Sequence, residues 1–179
     1  MIYFTSDTHF GHYNIIRLCN RPFADADEMN EYMLYRWNEK VNENDTIYII
    51  GDLFFKCKKP QNILSQLKGK KHLIIGNHDN SWLRLVDDAS EYFKSVSNYL
   101  EISDGIRGIT LCHYPMMSWK HKQKTYMIHG HIHNDTSLGY WQYLKENDRI
   151  LNAGVDINGF SPVSFEELLN NNIRVKNNN

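Results

Sequence analysis

The sequence predicts an α/β fold, with layers of helix and strand built on one mixed sheet or on two sheets packed together. Three observations predict it. Short apolar runs of strand length alternate with helix-period segments through the first half. The second half is richer in strand patterns, two of them joined by an Asp104-Gly105 turn. The length, 179 residues, suits one core large enough to fold alone. No repeat or linker divides the chain, so residues 1–179 are read as a single domain.

The first strand is Ile2–Thr5. A helix follows. Asp25 can cap it, Glu28 takes the capping-box position, and Met29, Met33 and Trp37 recur every four residues as one apolar face. Thr46–Ile50 is the second strand. Pro60 to Lys68 reads as a helix, with proline in its first turn and Gly69 just past its end. His72–Ile75 is a strand, and Ser81–Val86 leaves room for a short helix. Tyr92–Ile102 and Ile106–Cys112 read as an antiparallel pair, and Tyr126–Ile128 as a last buried strand. The terminal NNNIRVKNNN is Asn-rich, and its last few residues are expected to be disordered.

Bulk properties narrow the function. A formal net charge of -1 argues against an extended nucleic-acid footprint or binding to an anionic membrane. Cys19, Cys57 and Cys112 are odd in number and lack C-x-x-C spacing, so neither a disulfide framework nor a cysteine zinc site is expected. The opening MIYFTSDTHF has no basic start and reaches charge at Asp7, unlike a signal peptide. No apolar run approaches the roughly 18 residues of a membrane span. A soluble, cytoplasmic protein is the expectation.

The chemistry gathers where strands end. Ile2–Ser6 delivers Asp7, with His9 two residues on, and Thr46–Gly51 delivers Asp52. His72–Gly76 delivers Asn77, His78 and Asp79; Ile109–Cys112 delivers His113; Tyr126–Gly130 delivers His131 and His133. Gly51, Gly76 and Gly130 each stand directly before a polar residue, where the lack of a Cβ lets the backbone approach an ion or ligand. Neutral imidazole is the commonest protein ligand for transition metals, so such a set points to metal binding.

The order D-x-H, G-D, G-N-H-D, a lone H and G-H-x-H resembles the calcineurin-like metallophosphoesterase superfamily. Here it reads Asp7-Thr8-His9, Gly51-Asp52, Gly76-Asn77-His78-Asp79, His113 and Gly130-His131-Ile132-His133. The opening SDTHFGHYNIIRLCNRPF also resembles small single-domain members from bacteria and phages. The resemblance implies a layered α/β/β/α sandwich with two mixed sheets and a two-metal site. Asp7, His9, Asp52 and His133 would hold one ion. Asp52, Asn77, His113 and His131 would hold the other, with Asp52 bridging. His78 would be the catalytic histidine on the substrate side, oriented by Asp79. His129, two residues before His131, matches no motif position and is expected to be structural.

Mixed imidazole and oxygen donors suit manganese, with iron, zinc or nickel as alternatives, better than calcium or magnesium. Two ions with two carboxylates and a bridging hydroxide leave a formal charge of about +1, attractive to a phosphate ester. Ions roughly 3.5–4 Å apart can activate that hydroxide and clamp the phosphoryl oxygens. His78 can protonate the leaving oxygen or stabilise developing charge.

Three further residues are candidates for substrate contact. His12 follows the first block, and Arg17 and Arg21 are candidate phosphate clamps; the alternatives are a surface role or one behind the ligands for His12 and solvated charges for the two arginines. His72 leads a strand and is expected to be structural. The stretch Tyr114–Lys124 mixes aromatics with lysines and can stack a base or simply form a basic turn. The expected function is a dinuclear metal-dependent phosphoesterase acting on phosphodiesters of nucleotide or cyclic-nucleotide type. A phosphomonoesterase is the alternative. A non-catalytic scaffold is disfavoured, because His78 and every motif ligand are retained.

Overall fold

A computed structural model describes residues 1–178. Two four-stranded sheets form its centre. The first comprises β1 (Ile2–Thr5), β2 (Thr46–Ile50), β3 (Lys70–Ile74) and β4 (Phe93–Ser97) in that order, all parallel. The second comprises β5 (Leu100–Ser103), β6 (Gly108–Leu111), β7 (Tyr126–His129) and β8 (Ile150–Asn152). There β5 runs antiparallel to β6, while β6, β7 and β8 are parallel. Only the second sheet is therefore mixed.

Alternation along each strand produces the layers. Phe4, Ile50 and Ile74 point from the first sheet into a core shared with Ile109, Leu111, Ile128 and Leu151 of the second. Their neighbours Tyr3, Ile49 and Leu73 point the other way, against Met29, Met33 and Trp37 of α2 (Ala26–Lys40). On the far side of the second sheet, Met127 and Ile150 pack on Trp119, Ile132 and Leu144, the last from α5 (Trp141–Lys145). A period of two with both faces apolar is what a sheet covered on both sides requires. The order is helix, sheet, sheet, helix.

The cap of α2 forms as the sequence predicts, with one difference. Asp25 accepts from the backbone N–H of Asp27 and Glu28 at 3.0 and 2.9 Å, while Glu28 reaches back to the N–H of Ala24 rather than Asp25. The helix after Pro60 is shorter than expected: α3 covers Gln61–Leu64 and is followed by a turn at Ser65 and Gln66. The short helix α4 starts earlier, at Asp79, and ends at Leu83.

Two expectations fail, one at the junction of the sheets and one at the terminus. Tyr92–Ile102 is not one strand. The chain leaves the first sheet after Ser97 and enters the second at Leu100, so only β5 keeps the antiparallel pairing. Both β4 and β5 are half-exposed edge strands, and Asn98-Tyr99 between them carries no glycine or proline to mark the crossing. Strand β8 and helices α1 (Tyr13–Leu18) and α5 were not foreseen, being too short to show a period.

The Asn-rich tail belongs to α6, which runs from Phe165 to Asn178; Asn179 lies outside the described residues. Ser164 and Glu167 cap that helix reciprocally. Asn172 and Lys176 anchor its far end by side-chain bonds to the backbone of Asn152 and of Asn147 and Ile150. Among the described residues no helix is long and apolar enough to cross a membrane.

Candidate metal centre

The carboxyl ends of the parallel strands open on one side, where ligands of α/β sheets generally bind. The loops after β1 and β2 run side by side: Asp7 donates to Gly51, His9 to Asp52 and Phe10 to Leu53 along the backbone, at 2.9–3.0 Å. Gly130 N–H donates to the His113 carbonyl at 2.9 Å, joining the loops after β6 and β7. Asp7, His9, Asp52, His131 and His133 all take left-handed backbone conformations, with φ between 51° and 71°. Such angles cost free energy for residues with a Cβ and cluster at functional sites.

Close approach explains two of the glycines. A Cβ on Gly76 would fall on the Asp52 carboxylate, and one on Gly130 would collide with Ser6 Oγ and Asp7 Oδ2. Both loops can therefore lean on a carboxylate only because those positions carry no side chain.

Asp52 sits at the middle. Its Oδ2 lies 3.5 Å from His113 Nε2, 3.6 Å from His9 Nε2 and 3.9 Å from His78 Nε2, and its Oδ1 accepts the His78 backbone N–H at 2.9 Å. His113 donates from Nδ1 to the Ile50 carbonyl at 2.9 Å, which leaves Nε2 as the lone-pair side of the neutral ring. That nitrogen and His131 Nδ1 each stand 3.0 Å from Asn77 Oδ1. Donor atoms of Asp7, His9 and His133 lie within 4.8 Å of one another, as do those of Asp7, Asp52 and His113.

His9 gives the clearest test of fit. The residue is only 2% exposed, and neither of its ring nitrogens has a hydrogen-bond partner. A buried imidazole in that state pays its desolvation cost with no return. Burial, followed by the charge of His133, drives its pKa steeply down. Burial pushes the Asp7 carboxyl up, against the pull of His133 and His113. A buried, neutral His9 ring with a free lone pair, beside a carboxyl buried deeply enough to resist ionising, suits a divalent cation.

His133 is held differently. Its Nδ1 donates to Asp156 Oδ2 at 2.9 Å, and Nε2 faces Asp7 Oδ1 at 4.0 Å. Burial alone would lower its pKa, but the bonds to Asp156 and Cys19 and the charges of Asp7 and Asp156 override it, holding the ring at about 10. A carboxylate that fixes the outer nitrogen of a histidine is the usual support for a metal ligand. Asp156 follows β8, the strand the sequence reading missed. Its signal was present: the apolar Ile150–Leu151, then Gly154 and an Asp, a looser form of the pattern that delivers Asp52.

Two predicted roles need correction. Asp79 does not orient the His78 ring. Its carboxylate accepts the backbone N–H groups of Asp52, Leu53 and Gly76 at 2.8, 2.9 and 2.7 Å and Trp82 Nε1 at 2.7 Å, which pins two ligand-bearing turns together. Arg21 is no substrate clamp. Its buried guanidinium is fork-paired with Asp156 at 2.7 and 3.0 Å and donates to the Asp7 and Thr8 carbonyls at 2.7 and 2.8 Å. No donor faces solvent to hold a phosphate.

Arg17 is exposed on α1 and does not line the cleft. His12 does line it, stacked on Phe55 with centroids 3.8 Å apart. His78 packs edge-on against the same ring at 4.8 Å, with its side chain 39% exposed. Phe55, unremarked in the sequence, thus props two of the cleft histidines. His129 is buried away from the donor cluster, its Nδ1 donating to the Gly130 carbonyl at 2.8 Å. The cleft itself encloses about 470 Å³ and is lined by His9, His12, His78, His131 and His133.

The chain belongs to the calcineurin-like phosphoesterase family, whose model matches residues 1–177. This is a family of hydrolases acting on phosphoester bonds, and its members normally bind divalent metals. The chain is 33% identical to the uncharacterized protein MJ1445 of Methanocaldococcus jannaschii, across 92% of this chain and 87% of that one. It is 27% identical to the gene 66 protein of Mycobacterium phage L5, across 76% and 79%. Among solved structures it is similar to the protein of unknown function AQ665 from Aquifex aeolicus, with a TM-score of 0.72, 28% identity and coverage of 93% and 96%.

Proposed function

We propose that the protein is a dinuclear metal-dependent phosphodiesterase. The observation that carries this reading is the buried His9 ring, whose nitrogens make no hydrogen bond, beside Asp52, whose Oδ2 faces three imidazoles. Asp7, His9, Asp52 and His133 would hold one ion, and Asp52, Asn77, His113 and His131 the other. When bound, two such ions supply a deprotonated water and withdraw charge from the phosphoryl oxygens. Manganese is the favoured metal on donor chemistry, with iron, zinc or nickel as alternatives.

The chain's own residues do the rest. The left-handed turns at Asp7, His9, Asp52, His131 and His133 fix the donor atoms in advance, so little reorganisation is needed on binding. His78 lies at the cleft wall with its Nε2 3.9 Å from Asp52 Oδ2, and in this reading it would donate a proton to the departing ester oxygen. His12 extends the same wall and offers a contact to a phosphoryl oxygen. A cleft of about 470 Å³ has room for an ester arm on either side of the phosphate, and two arms are what a diester carries and a monoester lacks.

The test is to strip the protein with chelator, restore manganese, and compare hydrolysis of an aryl phosphodiester with that of the matching monoester. Metal-dependent turnover of the diester is expected. Turnover of the monoester alone would replace this reading by a phosphomonoesterase.

A further inference from the structure

Beside the cleft lies a second hollow of about 300 Å³. Tyr114, Met116, Met117 and Tyr143 wall it, and Tyr140 and His131 line both hollows. The two spaces are therefore neighbours, with a predicted ligand between them. No Asp, Glu, Lys or Arg lines the smaller one. Its walls are braced: Tyr143 Oη donates to the Met117 carbonyl at 2.6 Å, tying the segment after β6 to α5. Tyr114 stands edge-on to His131 at 4.7 Å and to His113 at 5.2 Å, so this wall is built directly onto the donor cluster.

We propose that this hollow is the subsite for one ester arm of the substrate, and that the arm is a planar aromatic group. The proposal rests on the reading of the donor cluster as a phosphodiester-hydrolysing centre. Tyrosine rings and methionine thioethers favour a flat π surface over an aliphatic one of equal area. A charged arm would surrender its hydration there without gaining a partner. The two hollows meet at His131 and Tyr140, close enough for one molecule to place its phosphorus at the donor cluster and its arm between the tyrosines. A phenyl ring and a nucleobase share this chemistry, and the ligands below separate them.

Calorimetric titration of the manganese-loaded protein with non-hydrolysable ligands tests the assignment: inorganic phosphate, methylphosphonate, phenylphosphonate and a nucleoside 5′-methylenephosphonate. Phenylphosphonate should bind about tenfold more tightly than methylphosphonate, the size expected of one aromatic stacking contact. Met116→Ala and Met117→Ala should each shrink that ratio while phosphate affinity holds. A nucleoside ligand tighter than phenylphosphonate would identify the arm as a nucleobase, and equal affinity would identify it as any aryl group. Equal binding of methyl- and phenylphosphonate, with phosphate bound normally, would overturn the subsite and leave the metal centre standing. A preference that survives both substitutions would overturn it too. Failure of inorganic phosphate to bind would overturn the reading of the centre, and the subsite with it.

Discussion

Asp156 accepts the Nδ1 proton of His133 at 2.9 Å while its other oxygen is held by Arg21 at 2.7 Å. Arg21 in turn grips the backbone carbonyls of Asp7 and Thr8. One buried fork thus fixes the tautomer and angle of a predicted ligand and the turn that carries two others. Asp156→Asn should lower metal affinity about 10- to 100-fold, because the amide no longer holds the Nδ1 proton as a charged acceptor does. Asp156→Ala should add a stability loss of about 3–5 kcal/mol by stranding Arg21. Metal content after dialysis, read beside thermal unfolding, separates the two effects. Unchanged metal retention in the Asn variant would remove Asp156 from the centre.

Asp79 should behave as a structural acid. Asp79→Ala leaves three buried backbone N–H groups and the Trp82 indole without their acceptor. At about 1–3 kcal/mol for each orphaned group, the loss should reach several kcal/mol. Denaturant unfolding of the metal-free protein would reveal it without any assay of activity. A variant as stable as the parent, impaired only in turnover, would restore Asp79 to a direct role.

Asp52→Asn should remove both metals, since the substituted oxygen is the one facing three imidazoles. The acceptor for the His78 N–H is retained, so the fold should survive. One metal kept at full occupancy would show that Asp52 belongs to a single ion.

The ligand-bearing loops were legible because each carries a local signal, an apolar run ending in a polar residue, three times through a glycine. Strand alternation likewise revealed which residues face the core. The misread residues depend on direction rather than position. Nothing local distinguishes an Asp79 that turns back onto the Asp52 loop from one that turns toward His78. Arg21 reads as a phosphate clamp until its partner is known, and that partner, Asp156, lies 135 residues further along. Strand β8 was hidden by its length of three residues, and with it the acid it delivers.

His129 provides a pH test that does not depend on activity. Burial pushes its pKa down from 6.5 to about 4, with Lys176 and His113 adding to the burial effect and the Gly130 carbonyl opposing it. The unfolded chain therefore binds a proton at this histidine more readily than the folded one does. Its contribution to stability is complete above about pH 6.5 and is lost as pH falls towards 4, to an extent of about 3 kcal/mol. His133 acts in the opposite sense: its pKa of about 10 means that stability from its charged form is present below pH 6.5 and lost as pH climbs through 10. Replacing His129 with Gln, which cannot titrate, should flatten the acid limb of the stability profile between pH 6.5 and 4. The alkaline limb should stay as it is. The comparison is made on chelated protein, by denaturant unfolding at a series of pH values. An acid limb of unchanged slope would mean that His129 already exchanges its proton in the folded state. Its place behind the donor cluster would then be open to solvent rather than sealed by α6.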